Sequence, residues 1–138
     1  MKGQLILADR AEERAGKLDV QGGGWNQVVA NTHVNMALGI ILGLGRDEVD
    51  QPQKVTLGLL KEDGEPVLDT SSQPFTIEGS MNIGAKDDAS IDEVALFNAV
   101  IGIRVPPHKL PVGRYEWELS VEGELLDSAP FNSIERTP

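Results

Sequence analysis

The sequence contains no cysteine among its 138 residues. Without thiols the chain cannot form disulfides, use a thiolate nucleophile, hold an iron–sulfur cluster or bind zinc through cysteine. Its only two histidines are His33 and His108, and no paired-histidine motif such as HExxH occurs. A histidine-rich zinc centre is therefore excluded as well. For each histidine we favour the interpretation of a surface residue or one whose hydrogen bonds are satisfied.

Aromatic and basic side chains are also scarce. The chain has two tryptophans, one tyrosine and three phenylalanines, and too few of them are predicted to be exposed to build a platform that stacks sugars or bases. Trp117 is predicted to lie in the core, and Trp25 either in the core or at a partner interface. The 22 acidic residues outnumber the 12 basic ones, which gives a net charge of −10. Such a surface repels phosphate backbones, so we expect no nucleic-acid partner.

Long hydrophobic runs are missing. The stretch Leu5–Ala8 near the start is too short for the apolar region of a signal peptide. The run from Val34 to Leu44 is about half the length of a membrane span. We therefore expect a chain that does not enter a membrane and stays cytoplasmic on synthesis.

The motifs of common catalytic sites are absent. No Gly-x-Ser-x-Gly occurs, and neither Ser80 nor Ser120 has a histidine nearby in sequence. The glycine-rich stretches 22–24 and 39–45 lack the Gly-Lys-Ser/Thr of a P-loop. We expect a protein that is not an enzyme, with no catalytic, cofactor-binding or metal-binding residue and no cofactor. The triple glycine instead predicts a bulge or a tight chain crossing beside Trp25.

Acidic residues cluster in two segments that could attract a cation. Four carboxylates lie between Asp87 and Glu93, and this loop is where Ca²⁺ would bind if the protein held one. The spacing and glycine of an EF-hand are absent, so we favour a solvated acidic loop and expect no required ion. We apply the same interpretation, a solvated acidic loop without a required ion, to Asp47, Glu48 and Asp50. Glu116, Glu118 and Glu122 are predicted on an exposed strand face, where their charge favours solubility.

Alternating apolar and polar residues predict β-strands. In Arg114–Glu122 every second residue is large and apolar, which predicts a strand with one buried face and a hairpin turn at Gly123. Lys54–Leu60 repeats this pattern and is followed by a turn at Asp63-Gly64 and a short return strand at Val67-Leu68. A half-exposed strand is predicted from Phe75 to Ile83.

Other segments carry weaker patterns. Val34–Leu44 and Val94–Val105 are apolar on both faces, which is typical of central or covered strands. A helix over Ser90–Ala99 is the alternative for the second of these. Near the start, strands are predicted at Gln4–Ala8 and Lys17–Val20, with one helical turn possible across Ala11–Arg14.

Together these elements predict an all-β fold. The count is roughly eight short strands separated by Gly-, Pro- and Asp-rich turns, as in an antiparallel β-sandwich that is immunoglobulin-like or related. No linker divides the chain, so residues 1–138 form a single domain, with a polar C-terminal tail over 128–138 along the surface or on a partner. Four residues of the last hairpin should pack against residues of the earlier strands: Tyr115, Trp117, Leu119 and Val121 against Leu57, Leu59, Leu38 and Ile40.

Two stretches resemble a known family. They are the opening Gly16-Lys-Leu with Gly22-Gly-Gly-Trp25, and the closing Pro111-x-Gly-Arg-Tyr-x-Trp-x-Leu-x-Val-x-Gly-Glu124. Together they resemble a family of small uncharacterised β-sandwich domains frequent in actinobacteria and occurring also in their phages. The resemblance implies the sandwich fold, and because the family carries no assigned catalytic residues it implies no activity.

Three functional hypotheses remain. The first is a structural or protein–protein interaction module in a larger assembly, which binds a protein partner or itself through a strand edge, its loops or an ordered tail. One version of it is a virion accessory or decoration protein of an actinobacterial phage. The others are a small-ligand or carbohydrate-binding module and a stand-alone cytoplasmic regulatory protein.

Overall fold

The computed structural model describes residues 1–49, 51–81 and 97–135. This part of the chain contains nine strands and one four-residue helix, so the predicted all-β sandwich is confirmed with one strand more than expected. The elements are β1 (Lys2–Arg14), β2 (Lys17–Gly23), β3 (Gln27–Val29), β4 (Val34–Leu44), α1 (Arg46–Val49), β5 (Gln53–Lys61), β6 (Thr76–Met81), β7 (Phe97–His108), β8 (Gly113–Val121) and β9 (Glu124–Ile134). No helix in the described ranges is long and apolar enough to cross a membrane.

The strands form two facing sheets. The first sheet has the order β2-β1-β4-β7, and the second has the order β3-β9-β8-β5-β6. All neighbouring strands are antiparallel except β3, which runs parallel to the end of β9 from Asn132 to Ile134. The predicted antiparallel sandwich therefore has one short parallel strand, β3, which follows β2 of the first sheet in the chain.

The last hairpin has the predicted pattern. Leu57 of β5 pairs with Leu119 of β8, and Leu59 pairs with Trp117. The inward-facing residues of both strands are buried in one hydrophobic cluster with Leu38 and Ile40 of the opposite sheet. The predicted packing is confirmed, because a period of two places every second side chain of β5 and β8 on the face between the sheets.

The central strand β4 is buried on both faces for two reasons. It lies between β1 and β7, and the second half of β1 turns away from β4 to pair with β2. The resulting β1–β2 hairpin covers the outer face of the first sheet: a Cβ atom at Gly39 would lie 3.0 Å from Cδ2 of Leu18. The helical turn considered possible across Ala11–Arg14 is not formed, because these residues continue β1 and pair with β2.

The triple glycine lies where the end of β2 approaches β1 closely. Gly22 and Gly24 have φ angles of 60° and 86°, which only glycine adopts without strain. A Cβ atom at Gly22 would overlap the carboxylate of Asp9. Gly23 pairs with Ala8 and Gln21 pairs with Arg10 in the same register, so the predicted bulge is not formed.

The connection from β5 to β6 begins with the predicted turn. Gly64 has a φ of 86°, and Lys61 N donates to Glu65 O at 2.8 Å. The predicted return strand at Val67-Leu68 is reduced to two isolated bridges, Leu60 with Pro66 and Leu68 with Pro74. Proline has no N–H to donate, which limits the ladder at both places.

Two further predictions are corrected, one for the C-terminal segment and one for the start of β7. The predicted C-terminal tail is wrong at its start, because residues 128–134 continue β9 between β8 and β3 and bury Phe131 and Ser133. Ser133 is tolerated inside because its hydroxyl donates to Leu110 O at 3.0 Å. Residues 97–99 belong to strand β7, so the alternative of a helix over Ser90–Ala99 is wrong for the three of its residues that the structure describes. The segment 82–96, with the acidic loop Asp87–Glu93, lies outside the described residues.

A side-chain hydrogen bond joins the two sheets where β1 approaches β9. The carboxylate of Asp127 accepts Leu5 N at 2.7 Å with Oδ2 and Ser128 N at 2.9 Å with Oδ1. We expect Asp127→Ala to lower the free energy of unfolding by about 1–3 kcal/mol, because it leaves the half-buried N–H of Leu5 without its partner. Urea unfolding of both proteins measures this. Asp63→Ala, at an exposed turn, is the control, and equal losses from both substitutions would contradict the role of Asp127.

Tyr115 fixes the entry to β8. Its hydroxyl donates to Pro111 O at 2.8 Å, four residues upstream, and its ring stacks on Phe131 with centroids 5.8 Å apart. A tyrosine that bonds back to the preceding backbone at a strand start is also a feature of immunoglobulin-type sandwiches. Burial raises the pKa of the Tyr115 phenol above its ordinary value.

This raised pKa makes the protein less stable in alkali. Unfolded tyrosine loses its proton near pH 10, whereas the folded chain holds the proton to a higher pH. The stability is therefore complete below about pH 10 and falls from there up to the folded pKa. Because Tyr115 is the only tyrosine, tyrosinate absorbance follows this group alone. We expect the Tyr115 phenol to titrate at a higher pH in the folded protein than in the unfolded chain. The Tyr115→Phe variant should lose less stability over this pH range than the wild type. A folded-state titration at the pH of the unfolded chain would refute this prediction.

Candidate functional site

Three connections meet at one end of the sandwich, which we call the loop end: residues 30–33, 62–75 and 109–112. Leu110 lies at its centre, because its carbonyl accepts both Asn31 N at 2.9 Å and the hydroxyl of Ser133. Phe75 joins the second connection to the end of β7, with its ring 5.2 Å from the ring of His108. The loop end is therefore tied together by hydrogen bonds and ring contacts between segments distant in sequence.

A cleft of about 550 Å³ opens at the loop end. Both histidines of the chain lie in its wall, so we call it the histidine cleft. Its lining is His33, Val67, Leu68, Asp69, Thr70, Phe75, Thr76, Ile77, Pro106, Pro107, His108, Lys109 and Leu110. The signal that could have brought the two histidines together is strand pairing, because Val34 of β4 pairs with His108 at the end of β7.

The two imidazoles have different surroundings. His33 is exposed, as predicted. His108 Nδ1 lies 3.0 Å from Pro106 O, and because a carbonyl oxygen only accepts, Nδ1 donates the proton of this hydrogen bond. Nε2 is buried and has no hydrogen-bond partner among the described residues. His108 is therefore neither a simple surface residue nor a fully satisfied one.

The remaining candidates from the sequence lie elsewhere. Ser80 and Ser120 are on the outer face of the second sheet, towards the end opposite the histidine cleft. Glu116 and Glu118 lie on the same face, and Glu122 is in the turn, where its carboxylate accepts Lys54 N at 2.6 Å. Trp25 packs half-buried against the core, with its ring 6.4 Å from Phe131, which agrees with the core alternative.

The acidic residues of α1 have a local structural role. The carboxylate of Glu48 accepts Gly45 N at 2.9 Å at the start of the helix. Asp47 lies in the same first turn, and Asp50 lies outside the described residues. Within 1–49, 51–81 and 97–135, no group of three or more His, Asp or Glu side chains is placed to hold a metal ion. The candidate Ca²⁺ loop Asp87–Glu93 falls outside these ranges.

Exposed hydrophobic side chains concentrate at the loop end. Four of the five large ones in the described residues lie there: Leu68 (54% exposed), Val112 (56%), Ile134 (40%) and Val29 (37%). Val29 pairs with Ile134, and Val112 directly precedes Gly113, which pairs with Ser133, so these three residues lie at the same corner of the second sheet. The fifth, Leu125, follows the β8–β9 turn at the opposite end. Sequence periodicity could not reveal this set, because its members come from loops and strand ends.

Comparison with known proteins gives a family and no activity. No curated protein matches the chain. One solved structure aligns with it at 12% identity and a TM-score of 0.43, the Pseudomonas fluorescens alkylpurine DNA glycosylase AlkC bound to DNA containing an abasic site analog. The alignment covers 94% of this chain and 30% of that one, and a likeness this weak carries no argument about fold or function. The model of the family of unknown function DUF6941 matches residues 4–133, nearly the whole chain, and the protein therefore belongs to this family.

Proposed function

We propose that the protein is a non-enzymatic interaction module that binds another protein through its loop end, within a larger assembly. The observation that carries this proposal is that, among the described residues, four of the five large exposed hydrophobics lie in the loop end or at the strand ends beside it. Large apolar side chains exposed at one end of a protein cost free energy in water, and such surfaces mark contact sites in soluble proteins. The opposite end, by contrast, exposes one large apolar side chain in the described residues, Leu125.

The charge of the chain favours a different protein over a second copy. Two copies would bring net charges of −10 together, which opposes association. Two of the four described sheet edges, β3 and β7, are also poorly suited to strand pairing between copies. β3 has three residues, and the edge strand β7 carries Pro106 and Pro107, which cannot donate hydrogen bonds.

A pair of matched substitutions tests the loop end. Leu68 and Leu125 are equally exposed, at 54%, and lie at opposite ends of the sandwich. We expect Leu68→Ser to lower the affinity for the partner by about tenfold, as loss of one central apolar contact does, and Leu125→Ser to leave it unchanged. Cross-linked pull-down from the source organism, followed by titration of the recovered partner, measures both. A wild-type chain that recovers no partner, or equal losses from both substitutions, would refute the proposal.

The non-enzymatic part of the proposal has its own test. A broad hydrolase screen and mass spectrometry for a co-purifying cofactor should both be negative. Turnover that disappears in His33→Ala or His108→Ala would show that the histidine cleft is an active site.

The finer proposals concern the biological setting of the interaction module and an alternative function. Actinobacterial origin and a place in a phage particle are extensions of the interaction proposal, and recovery of coat proteins in the pull-down would support the second.

Small-ligand binding is the second candidate function, and the histidine cleft is the observation that favours it, since its volume falls within the range of about 300–1,000 Å³ of ligand sites.

A further inference from the structure

We propose that the histidine cleft binds a lysine or arginine side chain on a basic surface of the partner protein, with the cation on the carboxylate of Asp69. This inference rests on the proposed function and adds the chemistry of the partner surface. It depends on two features of the lining: a carboxylate that is held in place with one oxygen unused, and an apolar wall beside it.

The Asp69 carboxylate is fixed by its own loop through one of its two oxygens. Its Oδ1 accepts Ser71 N at 2.8 Å and Gln73 N at 3.0 Å. In the part of the chain that the structure describes, its Oδ2 accepts no hydrogen bond, and the carboxylate forms no ion pair with a basic side chain. The strongest partners of an ionised carboxylate are the N–H groups of lysine and arginine. Asp69 is therefore already oriented to receive such a cation with Oδ2.

The charge around this carboxylate also favours a cation. The connection 62–75, which contains Asp69, has three further carboxylates in its first four residues and no lysine or arginine. Glu65 is two residues from Val67 of the cleft lining, a separation of at most about 7 Å, which is shorter than the Debye length of about 8 Å at physiological salt. The loop end contains one basic residue, Lys109, so four carboxylates outnumber one ammonium group there. This field attracts a basic surface and repels an acidic one.

The wall beside Asp69 suits the methylene stem of a lysine or arginine. Leu68, which precedes Asp69 in the chain, and Phe75 both line the cleft. The ring of Phe75 lies 5.7 Å from the buried ring of Trp117, so the core holds it in place. Lysine and arginine lay their stems along apolar surface while the charged end stays on a carboxylate or in water. Such a side chain therefore uses both parts of the lining, which a purely apolar group does not.

His108 contributes to the wall of the cleft rather than to the binding of the cation. Its Nδ1 donates to Pro106 O, and its Nε2 is buried. Its ring packs against Phe75, with centroids 5.2 Å apart and ring planes at 61°. A ligand reaches Nε2 only after the wall around it has moved. Asp69, by contrast, is exposed and is the carboxylate of the lining.

The apolar surface next to Asp69 favours a polypeptide over a small amine. Leu68 is 54% exposed, and a small amine would leave most of this surface in water. A protein segment that carries the lysine or arginine covers Leu68 with its neighbouring side chains, and this burial adds to the affinity. A second copy of this chain brings a net charge of −10 to an acidic surface, which opposes its binding. The occupant that fits is therefore a different protein with a basic surface.

NMR titration of the labelled protein with N-acetyl-lysinamide and N-acetyl-norleucinamide tests the cation site. Norleucine has the stem of lysine without its ammonium group. We expect saturable shifts at Leu68, Asp69 and Thr70 with the lysine probe. The norleucine probe should bind about two- to fivefold more weakly, which is the difference that an exposed ion pair makes. High salt should remove this difference, because it screens the ion pair.

Asp69→Asn is the matched substitution, because the amide oxygen can still accept Ser71 N and Gln73 N while the charge is lost. This variant should bind the two probes equally. It should also weaken the recovered partner by about two- to fivefold at low salt and make its binding less dependent on salt. Glu124→Gln removes the same charge from an exposed residue beside Leu125, at the opposite end of the sandwich, and should change neither result. The amide spectra of both variants show whether they are folded.

Several outcomes overturn the inference. Equal affinity of the wild type for both probes, or equal effects of Asp69→Asn and Glu124→Gln on the partner, would show that Asp69 is not a cation site. Butylamine that binds as tightly as the lysine probe would indicate a small-amine site. Light scattering that shows a dimer of the wild type but not of Asp69→Asn would identify a second copy as the occupant.

The same measurements separate this inference from the proposed function. If Leu68→Ser weakens the partner while Asp69→Asn does not, the interaction module stands and the cation site fails. If no partner is recovered, the proposed function itself fails. In that case the two probes still decide whether the cleft prefers a cation.

Discussion

Replacing Trp117 with alanine should lower the free energy of unfolding by about 3–5 kcal/mol, the cost of deleting a large ring from a packed core. Trp117 is completely buried between Leu59 and Ala129 of the neighbouring strands. Its Nε1–H donates to the sulfur of Met36 in the opposite sheet at 3.1 Å. The side chain thus joins both sheets, and its removal leaves a cavity that the surrounding strands cannot fill.

Urea unfolding followed by far-UV circular dichroism measures this loss. Trp117→Phe is the matched variant, because it keeps a ring in the core and removes only part of the volume and the contact with Met36. We expect it to lose less than half as much stability as Trp117→Ala. If both variants lose the same amount, the loss comes from the contact with the sulfur and not from the cavity.

Local periodicity was sufficient to predict the strands that bury one face. Trp117 and Leu119 alternate with Glu116 and Glu118, and this contrast in polarity alone identifies β8 and its inner face. The same holds for β5. Glycines in turns were equally informative, because Gly64 and Gly123 adopt positive φ angles that other residues avoid.

Features that depend on distant pairing could not be predicted. Ser133 looks like part of a polar tail until Leu110 O is placed beside its hydroxyl. His33 and His108 are far apart in sequence and line the same cleft only because β4 and β7 pair. The segment Ala11–Arg14 has a composition that a helix tolerates, and its pairing with β2 decides the outcome. Nothing within a local window carries this information.

Gly102→Val tests how the β1–β2 hairpin attaches to the sandwich. Gly102 of β7 pairs with Gly39 of β4, and the two glycines form a flat place on the outer face of the first sheet. The backbone of β1 lies directly on it. A Cβ atom at Gly102 would overlap the carbonyl of Ala11 and lie 2.7 Å from the Cα of Glu12. Backbone atoms cannot yield by changing rotamer, so the hairpin must move away.

We expect this substitution to cost stability at the upper end of the range of about 1–3 kcal/mol that overpacking causes. Trypsin should also cut faster at Arg14 and Lys17, on either side of the hairpin turn, once the hairpin lifts from the sheet. Gly58→Val is the control, because Gly58 is a strand glycine of β5 with no atom within 4 Å of its Cβ position. Valine favours strands, so this control should be neutral or stabilising. Unchanged cleavage and stability in Gly102→Val would mean that the hairpin does not depend on this contact.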